Sequence, residues 1–149
     1  MFTNILIPTD GSALSEKAAQ KGIDLAQALQ TRVTVLHVAI PLFIYPLEMG
    51  MMPPLDPRLE NDVEKAIQIA GETYLDRICA LAATAGLAYD RLLVKDHDAW
   101  KGIVETAQKQ GCDLIVMGAH GRRGWSAFML GSVTNKVLSQ SKIPVLIYR

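Results

Sequence analysis

Short runs of aliphatic and β-branched residues alternate along this chain with longer segments whose apolar residues recur at helical spacing. No other feature restricts the fold as strongly. Phe2 to Pro8 (FTNILIP) is a short apolar run rich in Ile, stopped by Pro8 and then by Asp10-Gly11. It predicts a buried strand followed by a turn. Ser12 can cap the next helix, with Glu16 in its first turn where the helix dipole favours an acid. Ala18, Gly22, Leu25, Ala26 and Leu29 carry that helix on, and Arg32 to Val38 (RVTVLHV) predicts a second strand. Helical spacing returns from about Arg58 to Ala85, and Tyr89 to Val94 reads as a third strand. A helix from about Trp100 to Gln110 ends at Gly111, and Asp113 to Met117 (DLIVM) reads as the fourth strand. A helix from about Ser132 to Gln140 leads to a last strand, Ile143 to Tyr148. This order predicts a single doubly wound α/β sheet of five parallel strands with helices on both faces. The near-continuous apolar strands agree, because parallel strands are buried on both sides.

Length and charge narrow the classes. At 149 residues, with no linker, repeat or low-complexity tract, the chain is expected to form one domain spanning 1–149. Fifteen Lys+Arg balance fifteen Asp+Glu and half of the residues are apolar, which excludes the composition of disordered chains. The missing basic excess argues against a partner such as nucleic acid. A neutral, apolar-rich chain tends to associate with itself. Cys79 and Cys112 are far apart and in no metal-binding spacing, so two reduced, inert packing thiols are expected. The N-terminus lacks a basic, then apolar, secretory pattern. The most apolar stretch, Val33 to Leu47, contains His37, Pro41 and Pro46 and is too short to span a membrane. These features predict a cytoplasmic protein.

In doubly wound sheets, ligands bind beyond the C-terminal ends of the strands, at the point where strand order reverses. The residues there are therefore the candidates. Pro8-Thr9-Asp10-Gly11-Ser12 follows strand one, Val38-Ala39 closes strand two, and Met117-Gly118-Ala119-His120-Gly121-Arg122-Arg123 follows strand four, running on to Gly131-Ser132. Gly118 and Gly121 let backbone N–H groups approach an anion. Gly131-Ser132 at a helix start offers unpaired N–H groups, a hydroxyl and the positive end of a dipole. Neither G-x-x-x-x-G-K-[ST] nor a G-x-G-x-x-G after strand one occurs, so P-loop and dinucleotide sites are unsupported. Motifs expected of nucleotidyltransferases and of phospho-acceptor receiver domains are missing as well.

Gly118-x2-Gly121-x9-Gly131-Ser132 resembles the G-2x-G-9x-G-[ST] nucleotide signature of the universal stress protein family. Asn4 to Ser12, Asp113 to Arg122, and Gly131-Ser132-Val133 with Pro144-Val145-Leu146 resemble its opening, fourth-strand and closing segments, so the resemblance covers essentially the whole chain. It implies a sheet in the order 3-2-1-4-5 and a homodimer paired through Ile143 to Tyr148. It also implies ATP as ligand, with Mg²⁺ on the phosphates. Asp10 and the Val38 backbone would lie by adenine and ribose, with Pro8 and Thr9 beside them. Gly118 would lie by the ribose, next to Met117. Gly121, Gly131, Ser132 and Val133 would hold the phosphates, with His120 near them. One departure is Asp96 to Gly102, where members often carry a Pro-containing turn.

Several candidates have plain readings too. Asp10 can simply brace the turn at Gly11, and Ser132 can be only a helix cap. Arg122 and Arg123 suit phosphate but also suit solvent. His37 reads as a satisfied core residue, and Asp96-His97-Asp98 as a solvated turn. The loop Ala39 to Pro57 holds Phe43, Ile44, Tyr45, Met49, Met51 and Met52. A cover over a ligand, an oligomer contact and a disordered segment all remain open for it. No catalytic base or metal cluster stands out, so any ATP hydrolysis or autophosphorylation would be slow. The reading is an ATP-binding, homodimeric stress-response or regulatory protein, with a nucleotide-independent dimeric protein-interaction module, or a slow ATPase or autokinase, as the alternative.

Overall fold

β1 (Asn4–Pro8) is buried at all five positions, as a central parallel strand must be. The computed structural model describes residues 1–41, 49–50, 53, 56–120 and 130–149. In chain order β1 is followed by α1 (Ala13–Leu29), β2 (Arg32–Ala39), α2 (Pro57–Thr84), β3 (Tyr89–Lys95), α3 (Ala99–Lys109), β4 (Leu114–Gly118), α4 (Ser132–Gln140) and β5 (Val145–Tyr148). The five strands form one parallel sheet in the order β3-β2-β1-β4-β5, as expected. The first and last strands are shorter than their apolar runs, because Phe2 and Ile143 lie in the approach to each strand.

Side-chain alternation sorts the strand residues onto two cores. Ile5 and Ile7 of β1 and Leu114 and Val116 of β4 pack with Ala19, Ile23 and Ala26 of α1 and Leu75, Ile78 and Ala82 of α2. Leu6, Ile115 and Met117 face the other way, onto Ile103, Val104 and Ala107 of α3 and Val137 of α4. Cys79 lies in the first core and Cys112 in the second. Both thiols are buried and free, and burial pushes both up from their ordinary value.

Helix boundaries follow their caps. Ser12 Oγ accepts from Ser15 N at 3.2 Å, as its position before the helix predicts. Asp56 and Pro57 start α2. α1 ends on Gln30 with φ 52°, a left-handed position that glycine usually fills, so no sequence signal marked this end. The Asp96-His97-Asp98 stretch is a turn with His97 and Asp98 exposed, and Asp96 Oδ1 accepts from Asp98 N at 3.0 Å. That closes the entrance to α3 without a proline.

The two sheet edges differ. β3 carries charge: Arg32 pairs with Asp90, Arg91 with Glu72 and with Asp76, and Lys95 with Glu64. Such exposed pairs add little stability, but they discourage pairing with another sheet. β5 is apolar, and its Leu146 is 40% exposed.

Asp113 joins β1 to β4 at their N-terminal ends. Its carboxylate accepts from Thr3 N at 2.8 Å, Thr3 Oγ1 at 2.8 Å and Asn4 N at 3.1 Å. Burial alone would raise this carboxyl, but the hydrogen bonds from Thr3 and Asn4 outweigh it and hold it below its ordinary 3.8. A depressed folded value means the clamp stabilises above the unfolded value and weakens as pH falls through the folded one. Asp113→Ala should therefore lose about 1–3 kcal/mol at pH 7. In urea denaturation the gap from wild type should narrow below about pH 4.

Candidate functional site

β1 and β2 run one way from the chain start, and the path then crosses to β4 on the other side of β1. The strand order reverses there, and a cleft of about 780 Å³ opens at the C-terminal ends of the strands. That volume is within the range of pockets that hold small ligands.

The turn after β1 forms the floor. Thr9 N donates to Leu36 O at 2.8 Å, which continues the β1–β2 ladder by one bond. Thr9 Oγ1 accepts from Gly11 N at 3.2 Å and lies 3.2 Å from Ser15 Oγ, so the two hydroxyls knit the turn to α1. Asp10 Oδ1 accepts from Ser12 N at 3.0 Å while Asp10 also lines the cleft, so the bracing role and a place at the site coexist.

Gly11 has φ +75°, and a Cβ there would stand 2.4 Å from ring carbons of Tyr74. Thus α2 lays its Tyr74 ring directly on the turn. Three residues earlier in α2 the helix again comes in close, since a Cβ at Gly71 would lie 2.6 Å from His37 Cδ2. His37 stands edge-on to Tyr74, with ring centroids 5.4 Å apart, and its Nδ1 is 2.8 Å from Thr9 O. The expected satisfied histidine is found, but half-buried on the cleft wall rather than inside a core.

The opposite wall is the end of β4 and the start of α4. Ala119 N donates to Tyr148 O and Gly131 N to Ala119 O, each at 2.8 Å. Thr134 Oγ1 donates to Gly118 O at 3.1 Å. Together these bonds hold the helix start against the strand end. Gly131 permits the approach, since a Cβ there would meet His120 Cα at 3.1 Å. Gly131 is the N-cap and supplies no side-chain acceptor. Among the described residues nothing accepts from the amides of Ser132 and Val133. These donors and the helix dipole face the cleft, and they suit an anion. His120 Nδ1 is likewise buried and without a hydrogen bond among the described residues. Unpaired donors, a close glycine and a cleft of this size together fit a phosphate-bearing ligand.

Pro8, Thr9, Asp10, Val38, Met117, Gly118, His120, Gly131, Ser132 and Val133 all line this one cleft. Gly121, Arg122 and Arg123 lie outside the described residues, as do Phe43, Ile44, Tyr45, Met51 and Met52 of the apolar loop. Of that loop, Ile40 and Pro41 line the cleft and Met49 is exposed. The motifs did not point to Ile67, Ala70 and Tyr74 of α2 or to Ala99 and Ile103 of α3, which complete the walls. A signal for α2 was present in Gly71, because a glycine inside a strong helical period marks close packing. Among the described residues no group of three His, Cys, Asp or Glu is placed to hold a metal. No described helix is long and apolar enough to cross a membrane.

Known proteins share this arrangement. The profile of the Universal stress protein family matches residues 1–149. The chain belongs to that family. It is 32% identical over 149 residues to a universal stress protein of Thermus aquaticus and 29% identical over 149 residues to universal stress protein YxiE of Bacillus subtilis, with both chains covered in full in each case. The solved structure of MJ0577 from Methanocaldococcus jannaschii superposes with a TM-score of 0.77 at 26% identity, covering 99% of this chain and 95% of that one. More distant solved members share the fold and were determined with adenine nucleotides. One is a complex with cAMP (TM-score 0.68, 21% identity, 99% and 97% covered). Another, from Archaeoglobus fulgidus, is a complex with dAMP (0.70, 17%, 99% and 98% covered). A third, from Arabidopsis thaliana, has AMP bound (0.68, 14%, 97% and 90% covered).

Among the described turn glycines, the Tyr74 contact makes Gly11 the most sensitive. Gly86 has a similar φ of +71° with nothing within 4 Å of an added Cβ, so it isolates the backbone cost. Gly86→Ala should lose about 1–2 kcal/mol in chemical denaturation. Gly11→Ala should lose at least about 2 kcal/mol more, because the Tyr74 ring must also move.

Proposed function

We propose that this protein binds ATP in the cleft between the ends of β1, β2 and β4 and works as a homodimeric stress-response or regulatory protein. The observation that carries this is the convergence of ten residues from four separated sequence segments on one cleft, with the Ser132 and Val133 amides unpaired among the described residues. In this reading Asp10 and Val38 take the base and ribose, with Pro8 and Thr9 beside them. Met117 and Gly118 lie along the ribose. Gly131, Ser132 and Val133 hold the phosphates near His120, with Gly121 as their partner from the family signature. Adenine nucleotides in related folds support the ligand class. Mg²⁺ would arrive on the phosphates, since this ion is usually held by substrate oxygens and water rather than by a protein cage. Zero net charge is no obstacle, because backbone amides and a helix start can hold a small anion without basic side chains.

One domain over 1–149, a cytoplasmic location and pairing through β5 belong to the same proposal. The apolar β5 edge favours pairing there, and the ion-paired β3 edge disfavours it at the other side. In light scattering after size exclusion the wild type should then run as a dimer and Leu146→Lys as a monomer.

Titration calorimetry with Mg-ATP tests the ligand. Wild type should give saturable heat at or below millimolar ATP, and its absence would remove the reading. Ser132→Glu is the informative variant. Ser132 is exposed at the first turn of α4, where an acid suits the helix dipole, so the fold should keep or gain stability. The same carboxylate would sit where the phosphates go and should weaken ATP binding at least about tenfold. Loss of affinity with an unchanged melting temperature separates a site effect from unfolding.

A further inference from the structure

The β1–β2 ladder stops one bond earlier than its strands allow. In a parallel pair, a residue facing its neighbour donates through N–H to one residue and accepts through C=O from the residue two further on. Thr9 N donates to Leu36 O, so the next bond would run from Val38 N to Thr9 O. That bond is not made. Thr9 O is instead 2.8 Å from His37 Nδ1. A carbonyl oxygen can only accept, so Nδ1 carries the proton and donates it there. Val38 N–H faces the same side as Leu36, beyond the end of β1, and has no hydrogen-bond partner among the described residues.

The imidazole is held in this position from behind. Gly71 of α2 leaves the room its ring needs, since a Cβ there would be 2.6 Å from Cδ2 and 3.2 Å from Nε2. Tyr74 closes the side at 74° to the ring plane. Its rotamer is therefore locked by neighbouring groups, as a side chain that positions another group requires.

We infer that His37 is a positioning residue, which takes the Thr9 carbonyl out of the sheet and keeps the Val38 N–H unpaired and aimed into the cleft, where it donates to a ring nitrogen of the bound base. This rests on the ATP reading above. An adenine edge offers an acceptor nitrogen beside an amino group, and the Val38 N–H and C=O offer the matching donor and acceptor. His37 would then govern base affinity without touching the nucleotide.

Two measurements separate this from a structural role and from failure of the ATP reading. The first needs no ligand. In hydrogen exchange of the unliganded wild type, the Val38 amide should exchange much faster than the Leu36 amide. In His37→Phe, which keeps a ring but has no donor, Thr9 O is released and the Val38 amide should become protected. A wild-type Val38 amide as protected as Leu36 would overturn the proposal, whatever ATP does. The second uses calorimetry with ATP and with 1-deaza-ATP, which lacks the acceptor nitrogen beside the amino group. His37→Phe should weaken ATP about tenfold, the scale of one hydrogen bond, and leave 1-deaza-ATP unchanged. His37→Asn, whose amide can donate to Thr9 O, should restore ATP binding. Equal losses for both nucleotides, or no loss of ATP, would overturn the role of His37 in base recognition. If wild type gave no heat with ATP while the Val38 amide stayed labile, the nucleotide reading would fall, and with it the base contact. The opened ladder would stand.

Discussion

Burial of β1 on both faces is the constraint on which the rest depends. All five of its residues are shielded, with Ile5 and Ile7 facing α1 and α2 and Leu6 facing α3 and α4. A parallel strand cannot reach its neighbour by a tight turn, so each connection must be a crossover that can carry a helix. The helices cover the sheet, and the covered sheet keeps β1 dry. Because β1 has partners on both sides, the chain must leave it in opposite directions. That leaves the ends of β1 and β4 without a continuous cover. The cleft is thus a consequence of topology before any residue specialises it.

The walls are specialised by unequal means. On the β4 side the backbone does most of it. Gly131 lies against His120, its N–H is taken by Ala119, and the amides that follow have no partner among the described residues. On the β2 side, side chains act. Tyr74 is pressed on Gly11, and His37 draws off a carbonyl that would otherwise complete the sheet. The two walls differ in polarity accordingly. One offers N–H groups at a helix start, and the other is built largely from Ile40, Pro41, Ile67 and Ala70. A ligand with a flat apolar end and an anionic end matches that polarity.

Much of this was legible in the sequence, for identifiable reasons. Strands such as DLIVM and helices with strong periodicity are local patterns, and their order alone predicts a parallel sheet. The glycines and the Ser at the end of β4 and the start of α4 could be singled out because small residues at a helix start are a local pattern that leaves backbone amides accessible. The contribution of α2 was not legible. Tyr74 belongs to the helical apolar period and looks like any core residue, and only the third dimension sets its ring on Gly11 some sixty positions away. The place of His37 was not legible for a similar reason. Its strand neighbours Leu36 and Val35 are fully buried, but β1 ends before it, so the position becomes a wall. The left-handed Gln30 carried no signal at all, because glycine was not used where the backbone would favour it.

The unlike edges of the sheet set a limit on growth. A sheet with two apolar edges could add copies on both sides without end, as fibrous assemblies do. Here the β3 margin carries Asp90, Arg91 and Lys95 with their ion-pair partners. The β5 margin carries Val145, Leu146 and Ile147. Any contact made through sheet margins uses up the only apolar one on each molecule. If the proposed dimer forms through β5, it closes at two chains and presents charge outward at both extremes, so that a neutral, apolar-rich chain pairs without polymerising.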